Sequence, residues 1–330
     1  MQNLGIAIIG SGSAVPATSL HNQELTQLVE TSDEWITTRT GIRQRRLANS
    51  TDSLSSLATA ASIQAIASAG ITPGDLDLIL LATSTPDDLF GSACKVQAEL
   101  GATQAVAFDL TAACSGFVFG LVTAAQYIRT GAYRNVLLIG ADVLSRWVDW
   151  QDRRTCVLFG DGAGAVVLQA NDSDRLLGFA LKSDGTQNHY LNVAYQGTPQ
   201  EIIPGVNVTQ GTYQPITMNG KEVYRFAAQK VPEIIDKALF AANLTVDQID
   251  WLLLHQANQR ILDTVAQRLN IPDHKVISNL ANYGNTSAAS IPIALDEAVR
   301  EGKIKTNDII AASGFGAGLT WGAAIFQWGR

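Results

Sequence analysis

The feature that most constrains the fold is a weak internal duplication, because the second half of the chain repeats the pattern of the first in the same order. A buried strand that runs into a polar loop begins at Asp75 (DLDLILLATST) and again at Gln248 (QIDWLLLHQAN). The end of an amphipathic helix follows in each half, as VQAELG from Val96 and as VAQRLN from Val265. Self-similarity of this kind predicts a chain built from two similar halves.

Three further matched segments extend the duplication. AACSGF around Cys114 corresponds to YGNTSA around Asn285, GAYRNVLLIGA to GKIKTNDIIAASG, and FGDGAGAVVLQ to GFGAGLTWGAAIFQ. We therefore place the first half at residues 1–172 and the second at residues 173–330. Residues 19–57 are predicted to be an inserted helix and loop. Residues 173–218, rich in Gly, Asn, Gln and Thr, are predicted to be a loop-rich segment over a surface or pocket.

The apolar runs LDLILLAT and NVLLIGA show no polar alternation, which is typical of strands covered by helices on both faces. The chain has 330 residues, of which 46% are hydrophobic and 16% charged, so it can bury a large core. These features predict an α/β fold.

Charge and cysteine usage exclude several classes of partner. The formal net charge of −7 argues against general affinity for nucleic acid or anionic membrane, since both require clustered positive charge. No apolar run reaches the roughly 18 residues of a membrane span, and MQNLGIAIIG lacks the basic leader of a signal peptide. Three cysteines without a CxxC pair favour free thiols in a reducing compartment. We expect a cytoplasmic protein without a metal site.

Cys114 is a candidate nucleophile. The apolar positions that follow it keep to one face of a helix, and Gly131 is a plausible end, so Cys114 is predicted at a helix N-terminus among small residues. Unpaired N–H groups and the helix dipole at such a position stabilise a thiolate, which predicts a depressed thiol pKa. The alternative is a thiol that fills a gap in the core. We prefer that interpretation for Cys94 and Cys156, which lack small neighbours.

His255 and Asn285 are candidate partners of Cys114. His255 follows the apolar run WLLL, so it emerges at the carboxyl end of a strand, where ligands bind in α/β proteins. Asn285 lies at the duplicated counterpart of Cys114. If the halves pack about a pseudo-twofold axis, the three residues meet, and His and Asn can donate hydrogen bonds to a developing enolate oxygen. The alternatives are a structural histidine and an Asn that caps a helix.

Two glycine-rich segments, GDGAG (160–164) and GFGAG (314–318), are followed by strand-like residues and lack the GKS or GKT ending of a phosphate loop. We therefore interpret them as tight turns that bring a backbone N–H, such as that of Ala317, close to a reacting carbonyl. Basic residues cluster in two stretches and form either a solvated face or a docking patch for an acidic partner. They are Lys221, Arg225, Lys230, Arg260 and Arg268.

Seven segments in order resemble the beta-ketoacyl-acyl-carrier-protein synthase III family of the thiolase superfamily: TSDEWITTRTGI, AFDLTAACSGF, DRRTCVLFGDGAGA, MNGKEVYRFA, HQANQRI, NYGNTSAASIPIALDEA and GFGAGLTWG. The resemblance covers nearly the whole chain. It implies a thiolase-like, five-layered αβαβα fold with two pseudo-symmetric halves, usually in a homodimer. It also implies a catalytic triad of Cys114, His255 and Asn285.

The resemblance further implies the first condensation of fatty-acid synthesis, in which acetyl-CoA and malonyl-acyl carrier protein give acetoacetyl-acyl carrier protein, CoA and carbon dioxide. No metal or redox cofactor is needed, because loss of carbon dioxide supplies the carbanion. Family positions that contact CoA correspond to Trp35, Arg39, Arg153, Gly220 and Asn258. Carrier-protein docking positions correspond to Arg225, Ala257, Arg260 and Arg268. Leu89 corresponds to a residue that bounds the acyl pocket across the dimer.

The sequence departs from common family residues at a few positions: Arg154, Tyr224, Ala317, Gln267 and Leu89. None of these removes a catalytic group, but Leu89 leaves the preferred acyl chain open. Two other functions stay open as alternatives. One is a same-fold specialised acyltransferase or starter synthase with a different pocket lining. The other is a non-catalytic acyl-CoA-binding subunit, which has no need of a thiol at a helix terminus.

Overall fold

A computed structural model describes residues 4–330. The first half contains the strands β1 (Gly5–Ala14), β2 (Ser19–His21), β3 (Gln44–Arg46), β4 (Leu78–Ala82), β5 (Val106–Leu110), β6 (Asn135–Val143) and β7 (Asp161–Asn171). Its helices are α1 (Asn22–Leu25), α2 (Asp33–Thr40), α3 (Leu54–Ala69), α4 (Ala93–Leu100), α5 (Gly116–Arg129) and α6 (Arg153–Cys156). Of the segment MQNLGIAIIG, which lacks the features of a signal peptide, residues 1–3 lie outside the described residues, and most of residues 4–10 belong to β1.

The second half contains the strands β8 (Leu176–Ser183), β9 (Leu191–Asn192), β10 (Tyr195–Ile203), β11 (Val206–Tyr213), β12 (Thr217–Met218), β13 (Trp251–Leu254), β14 (Val276–Ile277), β15 (Ile309–Gly316) and β16 (Thr320–Gln327). Its helices are α7 (Gly220–Ala242), α8 (Gln259–Arg268), α9 (Leu280–Tyr283) and α10 (Ser290–Arg300).

The two main sheets share one topology. The first sheet has the order β1-β7-β6-β4-β5 and the second the order β8-β16-β15-β13-β14. In both sheets the first two neighbouring pairs are antiparallel and the last two are parallel. The duplicated segments thus form equivalent strands, and the predicted boundary at residues 172–173 lies in the loop between β7 and β8.

The sheets and helices stack in five layers, which confirms the predicted fold class. Helices α5 and α10 lie between the sheets, and their apolar side chains share one core with both, for example Phe117, Leu295 and Ala312. Helices α3 and α4 cover the outer face of the first sheet, and α7 and α8 cover that of the second. None of the helices within residues 4–330 is both long enough and apolar enough to cross a bilayer.

Two equivalent turns precede the two central helices, α5 and α10. A short 3-10 turn at residues 113–115 precedes α5, and another at residues 287–289 precedes α10. Each begins with a non-glycine residue at positive φ, namely Ala113 at 46° and Ser287 at 52°. The structural counterpart of Cys114 is therefore Ala288, and the prediction that Asn285 occupies that position is wrong by three residues. The prediction failed because similarity between two segments of sequence does not give the register of the strands, and the exact position of a turn depends on that register.

Glycines allow each turn to pack against the sheet of the other half. A Cβ at Gly140 of β6 would overlap the carbonyl oxygen of Ala288. A Cβ at Gly316 of β15 would lie 2.6 Å from the backbone nitrogen of Cys114. The two backbones approach this closely only because neither position has a side chain.

Two predicted segments differ from the structure. The loop-rich segment at residues 173–218 begins with β8, an edge strand of the second sheet, and also contains the hairpin of β10 and β11. Strand β8 was missed because the apolar run in RLLGFALKS is short and is followed by polar residues. The insertion at residues 19–57 contains a two-stranded pairing of β2 and β3 and two short helices, and its end belongs to α3.

We predict that Gly140→Ala destabilises the protein by about 1–3 kcal/mol, because the added methyl group forces the backbones of β6 and the turn at residues 287–289 apart. Urea unfolding measures the change in free energy. Gly185→Ala is the matched control, since no atom lies within 4 Å of a Cβ at that position, and it should stay within about 0.5 kcal/mol of wild type. Equal stability of the two variants would contradict the role of Gly140.

Candidate active site

The turn before α5 holds Cys114 in the interior. The residue is 7% exposed, and the backbone N–H of Ser115 closes the turn by donating to the carbonyl of Ala112 at 3.1 Å. The end of β15 covers the turn, with Gly316 against the Cys114 backbone. Helix α5 then runs from Gly116 to Arg129, and Gly131 at φ 76° follows its end. The predicted helix after Cys114 is confirmed.

His255 follows directly after β13, as predicted. Its backbone N–H donates to the carbonyl of Ser313 at 2.8 Å, and its Nδ1 lies 2.7 Å from Ser290 Oγ. The imidazole is 1% exposed and contacts the ring of Phe315 edge to face, with 5.3 Å between ring centroids. Burial lowers the pKa of His255 to about 3. The ring is therefore neutral at neutral pH.

Asn285 lies between α9 and the turn at residues 287–289. Its backbone N–H donates to the carbonyl of Leu158 at 2.9 Å, and its carbonyl accepts from Gly160 N at 3.0 Å. The side-chain Oδ1 accepts from Ser287 N at 2.9 Å. This contact is an Asx turn and not a helix cap, because the residue that caps the following 3-10 turn is Thr286. It uses the oxygen of the amide, so the Nδ2 donors are left for the cavity that Asn285 lines.

Cys114, His255 and Asn285 line one cavity of about 110 Å³. The structure therefore brings together the three residues that the sequence predicted would meet. Much of the remaining wall is apolar, from Leu158, Phe159, Leu191, Met218, Val223, Ile261 and Phe315. Gly220, Ala257 and Asn258 line the same cavity. An acyl chain or pantetheine arm is chemically suited to such a wall.

The prediction of a depressed pKa for Cys114 is wrong for the free protein. Burial raises the pKa of the thiol to about 12, and the nearby carboxylate of Asp142 opposes ionisation further. The Oγ of Ser287, 3.3 Å from the sulfur, acts in the opposite direction but does not offset burial. The resting side chain is a thiol at neutral pH. The sequence could not reveal this because depth of burial is a tertiary property.

Trp35, Arg39 and Arg153 form a cluster on the surface beside this cavity. The guanidinium carbons of Arg39 and Arg153 lie 5.2 Å and 4.8 Å from the centre of the Trp35 ring. Asn258 Nδ2 donates to the carbonyl of Arg39 at 3.1 Å, which joins the cluster to the cavity wall. Two cations beside an indole suit an aromatic ring that carries phosphate.

Most of the predicted docking residues surround a cleft between α7 and α8. Arg225 and Arg268 line it together with Lys221 and Tyr224, and its volume is about 630 Å³. The guanidinium of Arg260 lies 5.8 Å from the Tyr224 ring centre. Ala257 lines the inner cavity instead. Lys230 pairs with Glu233 at 2.8 Å.

Leu89 does not line the cavity that contains Cys114. It is 79% exposed, and its neighbour Phe90 is 97% exposed, in a loop that borders the edge strand β5. Both residues line a surface pocket of about 460 Å³ with Cys94 and Phe108.

Cys94 is exposed, so its prediction as a core thiol is wrong, whereas that of Cys156, which is buried, is confirmed. Helix α4 turns Cys94 toward the uncovered edge of the sheet.

The two glycine-rich segments have different structures. GFGAG spans the end of β15 and the turn into β16, as predicted, and the carbonyl of Ala317 accepts from Thr320 Oγ1 at 3.1 Å. Gly316 rather than Ala317 lines the cavity. GDGAG mostly lies within β7, so its prediction as a turn is wrong. A Cβ at Gly164 would lie 2.7 Å from Ile293 N, so this glycine admits α10 instead.

Four residues near the triad were not identified from sequence. Ser287 and Ser290 lie two and five residues after Asn285, and Phe315 lies inside GFGAG. Asp142 follows the apolar run NVLLIGA inside β6, and a carboxylate directly after a buried apolar run was a usable signal. No group of three or more His, Cys, Asp and Glu within residues 4–330 is arranged to hold a metal ion.

Comparison with known proteins identifies the family of this chain. Two family models match the chain, 3-oxoacyl-acyl-carrier-protein (ACP) synthase III at residues 108–185 and its C-terminal model at residues 239–328. A relative from Trichormus variabilis named beta-ketoacyl-acyl-carrier-protein synthase III is 88% identical over 330 residues, the whole of both chains. Among solved structures, 3-oxoacyl-acyl-carrier-protein synthase III from Aquifex aeolicus has a TM-score of 0.90 and 43% identity, covering 98% of this chain and 100% of its own.

The priming beta-ketosynthase of a polyketide biosynthetic pathway is also similar, with a TM-score of 0.90 and 34% identity over 100% of this chain and 98% of its own. Fold and site together define a thiolase-like condensing enzyme, which is an acyltransferase. Within that class, the chain belongs to the beta-ketoacyl-acyl-carrier-protein synthase III family.

We predict that His255 makes stability fall as the pH is lowered. The folded pKa of about 3 lies below the unfolded value of 6.5, so between these values the unfolded chain binds a proton that the folded chain does not. Between pH 7 and pH 5, wild type should lose about 2 kcal/mol more unfolding free energy than His255→Asn. Urea unfolding at both pH values measures this. Equal losses in the two proteins would contradict a neutral, buried His255.

Proposed function

We propose that this protein joins a short acyl group, carried on Cys114, to a malonyl unit on an acyl carrier protein. The products are a 3-oxoacyl-acyl carrier protein, CoA and carbon dioxide, and the reaction begins fatty-acid synthesis. The observation that carries the proposal is the meeting of Cys114, His255 and Asn285 in one buried, largely apolar cavity. A thiol nucleophile and two neutral donors suit acyl transfer followed by enolate formation.

In the first step the sulfur of Cys114 attacks the carbonyl carbon of acetyl-CoA or another short acyl-CoA. Negative charge develops on the carbonyl oxygen, and we assign the backbone N–H groups of Cys114 and Ala317 to hold it. The bond from carbon to the CoA sulfur then breaks, which leaves an acyl group on Cys114. The glycines at the end of β15 keep the Ala317 turn close to Cys114.

In the second step the malonyl thioester loses carbon dioxide and forms an enolate. We assign the enolate oxygen to His255 Nε2–H and Asn285 Nδ2–H. Support comes from the atoms that already have partners in the protein. His255 Nδ1 contacts Ser290, and Asn285 Oδ1 accepts from the Ser287 N–H, so the opposite end of each side chain is the one that can donate to substrate. A neutral imidazole is also the form that donates without adding a buried charge. The enolate carbon then attacks the acyl-Cys114 thioester.

CoA is proposed to bind along the surface cluster and the cavity wall. Trp35, Arg39 and Arg153 suit the adenine and phosphate end, because they combine an aromatic face with two cations. Gly220 and Asn258 suit the pantetheine arm, because both line the cavity that contains Cys114. The cations suit an anionic ligand despite the net charge of −7.

The carrier protein is proposed to dock at Arg225, Arg260 and Arg268, with Ala257 at the start of the path inward. The cleft is lined by three cations, Lys221, Arg225 and Arg268, and by one carboxylate, Glu233, and Arg225 is paired with Glu222 at 2.9 Å. Positive charge is therefore in excess there, and Arg260 lies beside the cleft near Tyr224. Electrostatic complementarity of this kind steers an acidic partner and orients it.

We also propose a homodimer in the cytoplasm, with no resident metal or cofactor. Support for the dimer comes from the exposed Leu89 and Phe90 beside β5, since an uncovered edge strand with apolar neighbours is suited to a second copy. In that arrangement Leu89 bounds the acyl pocket of the partner. The free cysteines are compatible with a reducing compartment.

The two steps should separate by mutation. Incubation with labelled acetyl-CoA should add one acetyl group to wild type and none to Cys114→Ser, as measured by intact mass. His255→Ala and Asn285→Ala should still be acetylated, because they act on the enolate, but should release carbon dioxide from malonyl-acyl carrier protein about 100-fold more slowly or worse. Acetylation of Cys114→Ala to the wild-type level would overturn the proposal. A panel of acyl-CoAs in the same assay identifies the primer.

Charge reversal should isolate carrier docking. Arg225→Glu and Arg260→Glu should raise the KM for malonyl-acyl carrier protein about tenfold at low salt, and less at high salt, because they remove steering charge. Acetylation by acetyl-CoA should not change. Arg134→Glu is the matched control, since Arg134 is an exposed arginine in the other half. An equal effect of the control on KM would contradict a localised docking site.

A further inference from the structure

Asp142 is a buried carboxylate to which the proposed function assigns no part. It lies near the end of β6 with no measurable exposure. One oxygen accepts from Thr83 Oγ1 at 3.1 Å, Ser84 N at 2.8 Å and Thr85 Oγ1 at 3.0 Å. The other oxygen accepts from Ala288 N at 3.2 Å. Within residues 4–330 no Lys, Arg or His forms an ion pair with it, so its oxygens are held by neutral donors alone, and burial raises the pKa of the carboxyl group.

Ser287 connects this carboxylate to the nucleophile. Its Oγ donates to Cys114 Sγ at 3.3 Å. The next residue, Ala288, donates its backbone N–H to Asp142 at 3.2 Å, and the Ser287 hydroxyl beside the carboxylate lowers the pKa of Asp142. The left-handed backbone at Ser287, held by the bond from its N–H to Asn285 Oδ1, gives the hydroxyl this position. A hydroxyl rotates about its Cβ–Oγ bond and can also accept. Once its proton turns from the sulfur to the carboxylate, Ser287 can take a proton from the thiol while it donates one to Asp142.

The charges of the site favour this direction of transfer. Ionising Cys114 by itself would put two negative charges in one buried region, and Asp142 opposes that ionisation. The groups that contact Asp142 from the loop after β4 and from the turn at residues 287–289 are hydroxyls and backbone N–H groups. If the proton moves to Asp142, the region keeps a single negative charge.

His255 is less suited to receive this proton. No hydrogen bond between His255 and Cys114 occurs among the described residues, and the imidazole Nδ1 already contacts Ser290. A proton on His255 would create a charge where burial disfavours one. A proton on Asp142 removes a charge that burial disfavours.

We propose that Asp142 accepts the proton of the Cys114 thiol through the hydroxyl of Ser287. The S–H bond breaks and the proton passes to Ser287 Oγ, while the Ser287 proton passes to Asp142. The sulfur forms its bond to the thioester carbon, the bond from that carbon to the CoA sulfur breaks, and CoA leaves as a thiolate that solvent protonates. Asp142 stays neutral while Cys114 is acylated. When condensation breaks the bond from carbon to Cys114, the proton returns along the same path.

Ser287 touches the reacting sulfur, whereas Asp142 acts only through Ser287. The inference rests on the proposed acylation of Cys114. If wild type takes no acyl group from acetyl-CoA, both proposals fail. If wild type is acylated, and Asp142→Asn and Ser287→Gly are acylated equally fast, only the proposed proton path fails.

The test is the rate of acylation by acetyl-CoA in single-turnover experiments, quenched and read by intact mass between pH 5.5 and 9. Asp142→Asn keeps the shape but cannot accept the proton, so acylation should slow by about 100-fold or more at pH 7. Its rate should rise about tenfold for each pH unit, because hydroxide must then remove the proton, whereas wild type should vary little around neutrality. A merely electrostatic or structural Asp142 predicts the opposite, since loss of a negative charge makes the thiol easier to ionise.

Asp161→Asn is the matched control. Asp161 is equally buried and accepts from Ser145 Oγ at 2.6 Å and Ala48 N at 2.7 Å, but it has no contact with Cys114. Its variant should acylate at the wild-type rate. A slowing equal to that of Asp142→Asn would overturn the proposal, as would Asp142→Asn acylating as fast as wild type or faster.

Ser287→Gly provides a second, independent variant. Glycine tolerates the φ of 52° at this position, so the hydroxyl is removed without added backbone strain. The variant should show the same slowing and the same pH dependence, and combining it with Asp142→Asn should add little, because both changes break one path. If Asp142→Asn does not fold, as judged by its melting transition, Ser287→Gly decides alone, and a wild-type acylation rate overturns the proposal.

Discussion

The close approach of two backbone turns to strands of the opposite half is the constraint on which the site depends. Gly316 admits the backbone of Cys114, and Gly140 admits the carbonyl of Ala288. These contacts bring the openings of α5 and α10 together between the sheets, so residues from distant parts of the chain share one cavity. His255 joins them because β13 ends at the same edge as β15, to which it is parallel. Any side chain at either glycine would separate the halves where the chemistry requires contact.

Burial then sets the protonation of the groups that meet there. Exclusion of water raises the pKa of the Cys114 thiol to about 12 and lowers that of His255 to about 3. Asp142 is also buried, and its pKa is raised, but neutral donors on both of its oxygens support its charge. The result is a neutral thiol, a neutral imidazole and one buried carboxylate around Ser287, whose hydroxyl contacts the thiol.

Much of the fold, and the positions of Cys114 and His255 within it, could be predicted from sequence because they depend on local pattern. Matched apolar runs identified the equivalent strands, and the helices after Cys114 and Asn258 followed from apolar periodicity and end signals. The position of His255 after a buried strand was correct for the same reason. The strand β8 was missed because a short apolar run followed by polar residues has a weak signal. The counterpart of Cys114 was misplaced because register between the halves is set by packing and not by spacing.

The sequence by itself determined which groups could react, through the identities of Cys114, His255 and Asn285 and the small residues around them. Only the tertiary structure decided how those groups are charged and what they contact. Neither the high pKa of Cys114 nor the neutral His255 can be inferred from neighbours along the chain, since both depend on the depth of burial. The contact of Ser287 with Cys114 joins residues 173 positions apart. Such pairs arise only when the two halves pack, because pKa values and hydrogen bonds depend on distance in space and not on distance in sequence.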